Sequence, residues 1–164
     1  MKNQVGFIDD KQYHNIKEGF FALKELGIVY ANHRIISKSP HIKSVEVFSH
    51  KDWGIEYQKN EYENIDPIEL GIKNTKNSIF DWSWLPLNKI HVKIMKIMKI
   101  RKEKYGINSG ITCVLEKDHH LFSVSLAHSS QEGFLKKICT EKNFLIKNYI
   151  DNIHSALLHH AYSI

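Results

Sequence analysis

The 164-residue chain predicts an α+β domain in which an antiparallel β-sheet is covered by helices. Three observations carry that expectation. Apolar residues recur at helical spacing within residues 13–23, 90–105 and 146–157. Segments of strand character fall between them, at 28–37, 45–49, 111–115 and 121–127. No stretch rich in Pro, Gly or Ser divides the sequence, so a single domain over residues 1–164 is expected.

Each element has a local reason. Asp9 and Asp10 offer an N-cap, and Tyr13, Ile16, Phe20 and Leu23 then face one side of a first helix that Gly27 ends. Ile28–Ser37 reads as a strand, followed by a turn at Ser39-Pro40-His41. Val45, Val47 and Ser49 alternate with Glu46 and Phe48, a second strand that runs into a short helix around Trp53. Asp66 caps and Pro67 opens another short helix. A loop at 74–78 leads to Phe80, Trp82 and Trp84. After Pro86 a long helix runs to about Tyr105, lined on one side by Ile90, Ile94 and Ile97 and closed by Gly106. Ile111–Leu115 and Leu121–Ala127 form two strands joined by a polar turn. Ser129 or Ser130 caps the next helical segment, and Ile146, Ile150, Ile153 and Leu157 make a last helical stripe.

Composition narrows the function. Hydrophobic residues make up 42% and charged residues 25%, which is ordinary for a globular protein. No apolar run is long enough to span a bilayer, and the N-terminus lacks the pattern of a signal peptide, so a cytoplasmic protein without membrane contact is expected. Cys113 and Cys139 read as buried thiols, neither a disulfide nor a metal site. The net charge of +5 comes from lysines spread along the chain, with Arg34 and Arg101 as the only arginines, so no direct nucleic-acid contact is expected. The pairs His119-His120 and His159-His160 lack companion ligands at metal spacing and read as solvated. Neither metal nor cofactor is expected.

The informative stretch is WGIEYQKNEYENIDP, residues 53–67. Trp53 and Tyr57 are four apart and share a helix face. The Trp53 indole donates one hydrogen bond, whereas an ionised Asp66 only accepts. A ligand that satisfies both presents a carbonyl to the tryptophan and an N–H to the aspartate, as an acylated amino lactone does. Tyr57, Trp82, Val45 and Val47 would supply apolar walls for its tail.

The ordered set W-x3-Y, D-P after eight intervening residues, Trp82 and GINSGIT at 106–112 resembles the autoinducer-binding domain of LuxR-type transcription regulators. The resemblance runs from LGIVYANHRI at 26–35 to the final helix. It implies an α-β-α sandwich and a sensor for an acyl-homoserine lactone or a related autoinducer. By that resemblance Trp53 binds the lactone carbonyl, Asp66 accepts from the amide, and Tyr57 and Trp82 wall the head group and acyl chain. Thr112 and Ser125 fall where the family places hydroxyls facing the acyl carbonyl or its 3-substituent, and Gly110 serves backbone geometry.

The chain also departs from the family. Ser49 and His50 stand where a tyrosine and a proline are usual, so the contact to the acyl carbonyl is lost or bridged by water. Arg34 shares strand parity with Tyr30, Asn32 and Ile36. If that face lines the pocket, the guanidinium needs an acidic partner, and a ligand bearing a carboxylate is one candidate. The family follows this domain with a helix-turn-helix module, which these residues do not contain. A fragment or a stand-alone form is therefore expected, pairing as a homodimer or with a full-length regulator. A stand-alone sensor, sequestering or anti-activator domain that binds another small apolar molecule or a full-length regulator is the first alternative. A hydrolase is the second and weaker one: Cys113 lies on a core strand without an evident histidine, and Ser125 has no nucleophile-elbow setting.

Overall fold

A computed structural model describes residues 4–85, 92–129 and 143–162. The strands are β1 (Gln4–Phe7), β2 (Ile28–Ser37), β3 (Val45–Phe48), β4 (Ser78–Asp81), β5 (Ser109–Glu116) and β6 (His120–His128). They form one sheet in the order β1-β3-β2-β6-β5-β4. The helices are α1 (His14–Lys24), α2 (Lys51–Lys59), α3 (Pro67–Asn74), α4 (Val92–Tyr105) and α5 (Asn143–Tyr162). Among the described residues no helix is long and apolar enough to cross a membrane.

The sheet has two buried faces, and the side-chain period of two assigns each strand residue to one of them. On one face α1 contributes Ile16, Phe20 and Leu23, and α5 contributes Ile146, Ile150, Ile153 and Leu157. Against them pack Val45, Val47, Ile35, Ile111, Phe122, Val124 and Leu126. Each of these large side chains contributes about 2 kcal/mol by leaving water. The opposite face carries Tyr30, Phe48, Val114 and Ala127 and is covered by Trp53 and Tyr57 of α2, Ile68 and Ile72 of α3 and Ile97 of α4. Helices on both sides of one sheet make the expected α-β-α sandwich.

Several expectations need correction. The sheet is antiparallel except at one edge, where β1 pairs parallel to β3. β1 has no counterpart among the expected strands, because four residues ending in Gly6-Phe7 show too little alternation. β4 falls at the end of the expected loop, and its pairing with β5 supplies the order that local sequence lacks. Asp10 does not cap α1; its carboxylate accepts from the Phe7 N–H at 2.8 Å and closes the turn after β1. His120 is buried rather than solvated, its Nε2 2.9 Å from Nε2 of His154, and half-buried His160 packs edge-on to Tyr13. The expectations for Ile90, Ser130 and Cys139 lie outside the described residues.

Gly106 ends α4 in the left-handed region at φ 67°, as its position suggested. Gly110 does something else. A Cβ there would lie 2.6 Å from three carbons of the Trp82 indole, so this glycine makes room for the ring rather than for an unusual backbone.

Candidate functional site

The site lies between the sheet and α2, α3 and α4. Antiparallel pairing of β2 with β3 sets Arg34 directly opposite Glu46, and both side chains point to this face. Arg34 Nε lies 3.6 Å from Glu46 Oε1, and Arg34 Nη1 donates to Glu69 Oε1 on α3. Asn32 and Gln58 each donate to Glu46 at 3.1 Å. Burial opposes the charge on Arg34, but the Glu46 and Glu69 carboxylates outweigh it and hold its pKa above the ordinary value. Burial raises the pKa of Glu46, although Arg34 pulls the other way.

Arg101 enters from α4. It follows Ile94 and Ile97 at i+7 and i+4, so it projects from the apolar side of its helix into the interior. Its guanidinium grips Asp66 with two parallel bonds, Nη1 to Oδ1 at 2.9 Å and Nη2 to Oδ2. Three rings surround it, with the guanidinium carbon 5.1 Å from the Trp53 ring, 5.9 Å from Tyr57 and 5.8 Å from Trp82. Burial works against its charge, and Asp66 outweighs burial to raise its pKa.

Asp66 is the hub. Besides Arg101 it accepts from the Ile68 N–H at 3.0 Å, which caps α3, and from the Tyr57 hydroxyl at 2.9 Å. Burial and the charges of Asp66 and Glu69 raise the Tyr57 pKa well above normal, so the phenol keeps its proton as donor. Nearer the middle of the sheet, Trp82 Nε1 donates to Thr112 Oγ1 at 2.9 Å, and that hydroxyl lies 2.8 Å from Ser125 Oγ.

Among the described residues, two buried side-chain nitrogens have no hydrogen-bond partner: Trp53 Nε1 and Arg101 Nε. The Tyr30 hydroxyl is close enough to the Trp53 side chain to be influenced by its N–H, but the contact falls short of a hydrogen bond. An unpaired buried donor costs about 1–3 kcal/mol. Both belong to one site. The cavity beside Arg101, bounded also by Tyr30, Phe48, Tyr57, Asp66 and Trp82, is narrow, with a volume of about 10 Å³, about one water.

The expected residues are thus partly gathered. Trp53, Tyr57, Asp66, Trp82, Ser125 and Arg34 all lie on this side of the sheet, and Thr112 supports Trp82. Val45 and Val47 do not belong to the cavity: they face α1 and α5, and Glu46 and Phe48 take the cavity side. Ser49 is also turned away. Its Oγ accepts from the Ala31 N–H at 2.8 Å and stitches the end of β3 to β2. The carboxylate expected to pair with Arg34 is supplied from within, by Glu46 and Glu69. Sequence reasoning misses Glu46, Glu69 and Arg101. Their signal is present: the chain's only two arginines meet buried carboxylates here. Cys113 lies on the other face of the sheet, its thiol pushed up to about 11 by burial, which suits packing rather than nucleophilic attack.

No protein-family model matches the chain. The transcriptional activator protein ExpR of Pectobacterium parmentieri is 31% identical over 125 residues, which cover 75% of this chain and 50% of that protein. The chain therefore spans about half the length of this curated relative. SdiA in complex with octanoyl-rac-glycerol superposes with a TM-score of 0.66 at 16% identity, over 94% of this chain and 64% of that one. CepR2 of Burkholderia cenocepacia, an N-acylhomoserine lactone dependent LuxR family factor, gives a TM-score of 0.54 at 14% identity, over 92% and 95%.

The fold is an α-β-α sandwich with a buried polar cluster on one face of its sheet. The sequence match and the shared fold place the chain with the autoinducer-binding domains of LuxR-type transcription regulators.

Proposed function

We propose that the chain is the quorum-sensing sensor domain of a LuxR-type regulator, and that its cavity takes an acylated autoinducer, an acyl-homoserine lactone or a relative of it. One observation carries this reading: Arg101, whose Nε is unpartnered, lines an aromatic-walled cavity, and the Trp53 indole, whose N–H is also unpartnered, lies against that guanidinium. A ligand oxygen would satisfy donors that the protein leaves unpaired, and Tyr30, Phe48, Tyr57 and Trp82 would flank an acyl chain. A drug-sized guest needs a few hundred Å³, so the cavity must open before it accepts one.

The test is a thermal-shift screen of the purified chain against acyl-homoserine lactones of varied tail length and against monoacylglycerols. A concentration-dependent rise in Tm with some of them is the expected result, through preferential binding to the folded state. Folded protein that shifts with none of them would refute the acyl-ligand reading. The proposal extends to pairing with a second copy or with a full-length regulator, which light scattering with and without a stabilising ligand would measure.

A further inference from the structure

We infer that Arg101 is a specificity-determining residue: it holds the position at Asp66 that an amide N–H of the ligand would need, so the site selects acylated head groups that offer acceptors and no such donor. The inference rests on the acyl-ligand reading above and narrows it to acyl esters and similar compounds.

The argument begins with the acceptor capacity of a carboxylate, about four lone-pair directions. Asp66 uses four. Oδ1 accepts from the Ile68 N–H and Arg101 Nη1, and Oδ2 accepts from the Tyr57 hydroxyl and Arg101 Nη2. The other carboxylates of the cluster are engaged as well: Glu46 with Asn32, Gln58 and Arg34, and Glu69 with Arg34 through Oε1. A donor brought to Asp66 would have to displace a bidentate guanidinium boxed by three rings.

Two donors of the site lack an acceptor. Trp53 Nε1 and Arg101 Nε both await one, and they belong to side chains in direct contact, the guanidinium carbon lying 5.1 Å from the indole ring. A carbonyl or ester oxygen meets that demand. Charge selects further. Three buried carboxylates, Asp66, Glu46 and Glu69, already share two guanidiniums, so no cation is left over for a ligand carboxylate. A neutral, acceptor-bearing acyl compound fits. This also removes the reason for a carboxylate-bearing ligand that Arg34 alone provided.

The experiment compares matched pairs that differ in one atom group: acyl-homoserine lactones and the corresponding α-acyloxy-γ-butyrolactones, in which an ester oxygen replaces the amide N–H. Short, medium and long tails are measured on the full chain by calorimetry or thermal shift. An amide N–H left without an acceptor weakens binding by about five- to a hundredfold, so the ester is expected to bind tighter by about tenfold or more. Arg101→Lys, which keeps the charge but loses the fork, frees one Asp66 lone pair and should shrink that ratio. Arg101→Met should reverse it wherever the variant folds. Amides that bind the unaltered chain as tightly as their esters overturn this inference and leave the proposed function standing. Binding of neither series overturns the acyl-ligand reading and this inference with it. The comparison in the unaltered chain decides the matter even if both variants fail to fold.

Discussion

Replacing Trp53 with phenylalanine separates stability from binding, which a tryptophan that only packs would not do. Trp53 is fully buried and its N–H has no partner. Shrinking an indole to a phenyl ring in a core costs roughly 1–2 kcal/mol through lost burial and the gap left behind. Removing an unpaired buried donor returns about 1–3 kcal/mol. The two effects oppose each other, so without added ligand Trp53→Phe should fall between about 1 kcal/mol less stable and about 2 kcal/mol more stable than the unaltered chain. Ligand binding should respond differently. The N–H that was unpaired would be paired to the ligand oxygen, and its loss should weaken affinity by about five- to a hundredfold. Urea unfolding at constant m gives the first quantity, and titration of the best-stabilising acyl compound gives the second. The reasoning fails if the variant loses about 3 kcal/mol or more of stability, the range of a truncated core aromatic. It fails equally if affinity is unchanged.

Arg34→Met should destabilise the domain by about 3–5 kcal/mol, because it leaves Glu46 and Glu69 buried without their cation; adding Glu46→Gln should recover part of the loss, and a single variant within about 1 kcal/mol of the unaltered chain would show that the pairing matters little. Gly110→Ala drives a methyl group into the Trp82 indole and should cost about 1–3 kcal/mol by overpacking, read as a lowered urea midpoint; an unchanged midpoint would mean the ring moves freely. On the α5 side, His33 Nδ1 lies 3.3 Å from the Val47 carbonyl, which can only accept, so Nε2 takes the Tyr149 hydroxyl proton and the ring is neutral. Burial lowers the pKa of His33 from 6.5 to about 4. The stability tied to that neutral ring is whole above pH 6.5 and is lost as the pH falls towards 4, by about 3 kcal/mol. Burial of His120, His128 and His154 acts in the same direction. An NMR titration in which His33 protonates near its ordinary value would contradict this.

The fold is legible in the sequence wherever a pattern is both long and one-sided. The α5 stripe and the parity of Tyr30, Asn32, Arg34 and Ile36 along β2 survive intact in the structure. β3 is legible as a strand but not in its facing. The segment Val45-Glu46-Val47-Phe48 carries large side chains on both faces, and the apolar pair invites assignment to a pocket. Pairing with β2 across the sheet puts the valines into the helical core and Glu46 beside Arg34. That information is non-local. Arg101 is a different case. It extends the stripe of Ile94 and Ile97, and in a chain that otherwise uses lysine, an arginine on an apolar helix face marks a planar, bidentate contact with a carboxylate. Read alone, the basic KIMKIMKIRKEK run looks like a solvated face and hides it. The narrowness of the cavity has no signal in the sequence, since it depends on how α4 settles against the sheet.

That narrowness governs timing. A chamber of about 10 Å³ admits a larger guest only from a transiently opened form, so arrival is throttled by the fraction of molecules open and measured affinity falls by that same fraction. Departure demands the same opening. Slow capture paired with slow escape gives a long residence time. For the proposed ligand, occupancy would then follow its sustained level rather than brief pulses.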